Sequence, residues 1–167
     1  MNTEFKQIIE KNKLLIFKVC RIYTHNENEF QELFQEIMIQ LWKSLERFRG
    51  ESQLSTWIYR LAINTALSYK TLAAKRKEIF GFDENFMHAI PTQAYNFEHD
   101  AQVEQLLAAV SQLKPIDKAI ITLYLEEKSY DEIAEIVGIT KTNVGVRINR
   151  AKDQLYKIMT GEKQHEI

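Results

Sequence analysis

The chain has 167 residues, 45% of them apolar, enough to bury a core in one ordinary domain or two small ones and too many for a disordered polypeptide. Five glycines and two prolines leave little for turns and point to helices, while the single cysteine, Cys20, excludes an internal disulfide and suits a reducing interior. The net charge of −1 hides an alternation: residues 43–77 balance at +6, residues 78–140 at −9 and residues 141–167 at +3, the pattern of two basic contacts with a polyanion or of ordinary solvated helix faces.

The opening stretch MNTEFKQIIEKNK carries charge where a secretion signal needs an apolar run. No stretch reaches the roughly 18 apolar residues of a membrane span, so a soluble cytoplasmic protein is expected. Thr3 is placed to cap a first helix whose inner side holds Phe5, Ile8, Ile9, Leu15, Ile16, Val19 and Ile22. A second helix is predicted over 28–45, with Leu33, Ile37 and Leu41 in one row and Phe34, Met38 and Trp42 beside it. RFRGES interrupts at Gly50 and Ser52. Ser55 or Thr56 then caps a third helix running to about Arg76, and its sequence TWIYRLAINTALSYK presents more aromatic and basic groups than a core helix needs.

Residues 78–98 keep no period and are broken by Gly81 and Pro91. So long a loop inside one compact domain would be unusual, so a domain boundary is expected there. Helices resume over 99–113, and Pro115 fits the first position of another that reaches Leu125 or Glu126. The expected fold is all-α: two small helical domains, 1–77 and 99–167, joined by a flexible linker at 78–98.

SYDEIAEIVGITKTNVGVRINRAK, residues 129–152, is the most informative segment. Ser129 and Glu132 have capping-box spacing. Ile133, Ile136 and Val137 turn inward, and Ala134 is small enough for a close helix crossing. Gly138 suits a left-handed exit, Thr140 caps the next helix, and Val144 and Ile148 return to the core. This is a helix-turn-helix. The outward side of its second helix carries Lys141, Thr142, Asn143, Val146, Arg147, Arg150 and Lys152, types that read base edges in a major groove or meet phosphates beside it.

Through these motifs the chain resembles the extracytoplasmic-function (ECF) sigma factors of the sigma-70 family, the promoter-recognition subunits of bacterial RNA polymerase. ELFQEIMIQLWKSLERFRGESQLSTWIYRLAINTALSYK is similar to the family's second conserved region, and LKPIDKAIITLYLEEKSYDEIAEIVGITKTNVGVRINRAKDQL to its fourth. The resemblance implies that Lys141, Thr142, Asn143, Val146, Arg147 and Arg150 contact the −35 promoter element. It implies that Arg49, Thr56, Trp57, Arg60, Asn64 and Lys70 bind and open the −10 element, with Asn64 beside a flipped base and Trp57 near the point of strand separation. It implies that Glu32, Gln35, Glu36, Gln40 and Trp42 dock on the polymerase core. The implied partners are core polymerase, double-stranded promoter DNA with its melted −10 strand, and an anti-sigma factor; no direct membrane insertion is expected.

The recognition helix departs from its relatives, many of which have Lys where Gly145 stands and Ser or Thr where Val146 stands; at Glu32 the family more often has Asp. Gly145 costs roughly 1 kcal/mol of helix propensity against Ala, and close approach to DNA or a different helix placement is the expected reason. The rival function is a free-standing helix-turn-helix regulator, which would ordinarily dimerise on a two-fold operator; no clear dimer helix is visible. A helical scaffold would not need two basic blocks. No enzyme, cofactor or metal site is expected. Cys20 and histidines 25, 88, 99 and 165 lack zinc-ligand spacing, there is no nucleophile elbow or phosphate-cradling glycine loop, and glutamates 27, 29, 32 and 36 read as a wet helix face.

Overall fold

The computed structural model describes residues 3–69 and 101–162. The chain divides into two units that part between Asn96 and Phe97. The expected linker at 78–98, Lys70, and the stretch through Arg76 lie outside the described residues. Among the described residues all regular structure is helical.

The first unit comprises α1 (Thr3–Tyr23), α2 (Glu27–Ser44), a single 3-10 turn (Leu45–Arg47) and α3 (Leu54–Leu67). Asn26 starts α2: its side chain accepts the Glu29 N–H at 2.9 Å, and the Glu29 carboxylate takes the His25 N–H at 2.8 Å. One donor that a helix start leaves unpaired is thereby satisfied, together with the N–H just before the cap. The three helices close on Ile9, Ile16, Leu33, Ile37, Ile58 and Ile63, all fully buried, each contributing about 1.5–3 kcal/mol on leaving water. Phe17 packs between Phe30 and Phe34 with ring centroids 5.8 and 5.2 Å away. In α1, Ile8 and Leu15 are only half-buried, and Phe17 and Cys20 fill the inner face with the residues expected there.

The start of α3 differs from the expectation. Neither Ser55 nor Thr56 caps it; the helix begins at Leu54 after Gln53, whose side chain makes no capping bond. Tertiary packing sets this boundary. Ile58 and Tyr59 are buried, and Trp57 lies 5.3 Å from the ring of Phe48 across the intervening loop, so Ser55 and Thr56 fall inside the first turn.

The second unit comprises α4 (Ala101–Val110), α5 (Pro115–Leu125), α6 (Tyr130–Val137) and α7 (Lys141–Thr160). Pro115 opens α5 at its first turn, where its missing N–H costs nothing. Val110, Ile120, Leu123, Ile133, Val144 and Ile148 form the core. The capping box forms in full: Ser129 Oγ accepts the Glu132 N–H and the Glu132 carboxylate accepts the Ser129 N–H. Gly138 leaves α6 at φ +80°, a left-handed conformation that a Cβ disfavours. Thr140 then caps α7 through the Asn143 N–H at 3.2 Å. Val137, expected inside, is half-buried at the edge of the turn.

Candidate nucleic-acid interface

α5 and α6 hold the recognition helix α7 from both sides. On one flank of α7, the ring of Tyr130 covers Gly145, the Lys141 ammonium donates to Asp131 at 3.0 Å, and Lys152 donates to the Tyr124 hydroxyl at 2.8 Å while lying over its ring. That hydrogen bond raises the pKa of Lys152. On the other flank, Arg147 Nη1 donates to Asp117 at 2.8 Å. Between the flanks Thr142, Asn143, Val146 and Arg150 are exposed, Val146 at 42%. A solvent-facing valine on such a helix offers an apolar surface of the kind that meets a thymine methyl. Asn149 is exposed on the same side; sequence reading passed over it, although it stands three residues beyond Val146 and so nearly one turn on. A polar groove of about 500 Å³ beside α7 is edged by Lys114, Arg150 and Lys157, with Asp117 and Asp153 interspersed.

In the first unit, Trp57, Arg60 and Asn64 of α3 and Gln40 of α2 line a shallow cleft of about 380 Å³. Asn64 is exposed, and Trp57, Arg60 and Thr56 are half-buried. Arg49 is exposed on the loop before α3. An aromatic face, an amide and a guanidinium around one cleft are the chemistry that holds a base removed from its stack.

On α2, Glu32 is exposed and Gln35 and Gln40 are half-buried, while Trp42 is 38% exposed with its indole edge-on to Phe5 at 5.0 Å. Glu32 accepts a 2.5 Å hydrogen bond from the Tyr69 hydroxyl, which ties α2 to the chain after α3. Glu36 does not share the wet face on which it was expected. It is only 3% exposed, held by a 2.8 Å hydrogen bond from Gln40 to one oxygen, while its other oxygen has no partner among the described residues. The helical period explains this: Glu36 stands beside Leu33 and Ile37 on the stripe that packs inward.

Among the described residues, no group of three His, Cys, Asp or Glu could hold a metal ion, and no helix is long and apolar enough to cross a membrane. Cys20 is buried, and desolvation pushes its thiol pKa far up.

These features define a two-unit, all-helical DNA-binding protein with a helix-turn-helix in its second unit. Residues 8–76 match the sigma-70 region 2 family model and residues 103–155 that of sigma-70 region 4. The chain is 34% identical over 151 residues to the ECF RNA polymerase sigma-E factor of Haemophilus influenzae, covering 83% of this chain and 79% of that protein. It is 31% identical to the RNA polymerase sigma-H factor of Pseudomonas aeruginosa, covering 93% and 86% of the two. Its fold is shared with the sigma factor RpoE of Bartonella quintana, solved in complex with the anti-sigma factor NepR (TM-score 0.69, 17% identity, 97% of this chain and 100% of that one). CnrH, solved with the cytosolic domain of CnrY, is similar as well (TM-score 0.64, 16% identity, 95% and 89%). The chain belongs to the ECF sigma factors of the sigma-70 family.

Proposed function

We propose that the chain brings core RNA polymerase to promoters carrying separate −35 and −10 elements and opens the duplex at the second. The single observation that carries this reading is the pairing of a helix-turn-helix with an exposed reading face in one unit and the Trp57–Arg60–Asn64 cleft in the other. Lys141, Thr142, Asn143, Val146 and Arg150 enter the −35 major groove, the first residues of α7 reaching bases and the later cations phosphates. Arg49, Thr56, Trp57, Arg60 and Asn64, with Lys70 following, engage the −10 element. Cations hold the backbone while Trp57 and Asn64 keep a base out of the stack, so binding free energy does the melting and no covalent bond changes. The two contacts on one chain act with an effective concentration that neither has alone.

The exposed side of α2, with Glu32, Gln35, Gln40 and Trp42, docks on core polymerase, an amphipathic helix with an aromatic anchor meeting a partner helix. Glu36 supports that face from inside. The protein works in the cytoplasm beside the polymerase and without catalytic activity of its own. The relatives solved with NepR and CnrY support control by an anti-sigma partner. Family membership favours this reading over a free-standing regulator. Pull-down with core polymerase tests it: co-purification and promoter-directed transcripts are expected, and a chain that binds DNA but ignores core polymerase would return the free-standing regulator.

A further inference from the structure

Arg147 stands in the row of residues expected to read DNA, and its surroundings argue for different work. The outward face of α7 is marked by Thr142, Val146, Asn149 and Arg150, all exposed, and the inward face by Val144, Ile148, Ala151 and Leu155, all buried. At about 100° per residue, Arg147 falls between them, on the flank toward α5. Its side chain is 32% exposed and that of its partner Asp117 14%; Nη1 donates to Oδ1 at 2.8 Å. Its Nε is buried with no hydrogen-bond partner among the described residues, so the side chain runs in between α5 and α7 and only part of it borders the polar groove beside α7. Asp117 lies in the first turn of α5, directly after Pro115 and Ile116, where the helix dipole favours a carboxylate. An arginine that left this pair for a base would strand a largely buried charge. Arg150, one turn of flank closer to solvent, carries no such tie in the structure's ion pairs among the described residues.

We propose that Arg147 is a positioning residue: its ion pair with Asp117 fixes the roll of α7 on α5, so that Asn143, Val146 and Arg150 face the groove while Arg147 touches no base. The inference rests on the reading of α7 as the −35-binding helix. It also makes Asp117, an acid, a requirement for tight DNA binding, which is the opposite of what charge alone dictates.

The test uses holoenzyme, the full chain with core polymerase, on a promoter recovered by run-off transcription. Affinity is measured against salt and against every −35 base substitution. If Arg147 positions the helix, Arg147→Ala weakens all −35 sequences alike, on the order of tenfold, and leaves the order of base preferences unchanged. A base reader would instead lose preference at one position, and a phosphate contact would lower the slope of log affinity against log salt by about 0.9; either result overturns the proposal. Asp117→Asn decides most sharply. Removing a negative charge near DNA should tighten binding if the pair does nothing, whereas the proposal requires weakening of similar size to Arg147→Ala, and a double variant no weaker than either single one. The comparison is made where circular dichroism shows full helix content, since a purely structural role would vanish there. Should Asp117→Asn not fold, Asp117→Glu keeps the charge and shifts it by one methylene; uniform weakening supports the proposal, and unchanged affinity overturns it. Wild-type holoenzyme that retains no promoter would refute the functional reading itself, whereas wild type that binds beside an equally tight Asp117→Asn refutes only the role given to Arg147.

Discussion

Tyr130 lies against Gly145 so closely that a Cβ on the glycine would meet its Cε2 at 3.4 Å. That is the near edge of ordinary contact, so alanine fits, and only a side chain that continues toward Tyr130 pushes the ring aside. Gly145→Ala is expected to raise stability by about 0.5–1 kcal/mol through helix propensity, seen as a higher melting temperature. Gly145→Lys should forfeit that gain to the extent that it displaces Tyr130. Promoter affinity that stays level in Gly145→Ala would show that the glycine serves helix packing and not an approach to DNA.

Gln40 supplies the hydrogen bond that one oxygen of the buried Glu36 receives. Gln40→Ala leaves that oxygen without its donor and is expected to destabilise the first unit by about 1–3 kcal/mol, several times what an exposed glutamine would cost. Urea unfolding measures it. A loss under about 0.5 kcal/mol would mean that Glu36 finds other partners.

The capping box at the start of α6 has an acid limb. Hydrogen bonds from Ser129, the backbone N–H foremost, hold the Glu132 carboxyl below its ordinary 4.5. A carboxyl whose pKa is depressed by folding stabilises the native state where it is ionised. That contribution is present above pH 4.5 and is lost as pH falls through the lower native value. Wild type should therefore exceed Glu132→Gln in stability at neutral pH, and the gap should close on acidification below 4.5. Ser129→Ala is expected to cost about 0.5–2 kcal/mol in the same assay.

Burial raises the thiol pKa of Cys20 and leaves little thiolate to react. Native protein should resist alkylation at mildly alkaline pH and label quickly once unfolded, so labelling kinetics followed by mass spectrometry report opening of the first unit. Rapid native labelling would contradict the packing around Cys20.

The helix-turn-helix was legible because its determinants are local. Ser129, Glu132, Gly138 and Thr140 each act within three or four residues, and the structure places each in the role its chemistry suggests. What escaped the sequence depends on distant partners. Asp117 is thirty residues from Arg147 and Tyr69 thirty-seven from Glu32, and no spacing rule connects them. Gly145 drew an explanation from DNA because Tyr130, its neighbour in space, sits in another helix. The start of α3 was misjudged because Ser55 and Thr56 are good caps by type, whereas the Phe48–Trp57 contact and the burial of Ile58 set the boundary. Glu36 was read as a surface charge by residue type, although its register beside Leu33 and Ile37 already placed it inward.

The central claim is that two separate surfaces of this sigma factor read two separate promoter elements. It is tested most directly by sequencing the transcripts that core polymerase and this chain initiate from a genomic library, with wild type, Asn143→Ala and Asn64→Ala compared. Wild type should yield starts that share two spaced motifs, with Asn143→Ala relaxing only the upstream motif and Asn64→Ala only the downstream one. No promoter-directed transcript from wild type, or one motif altered by both substitutions, would contradict it.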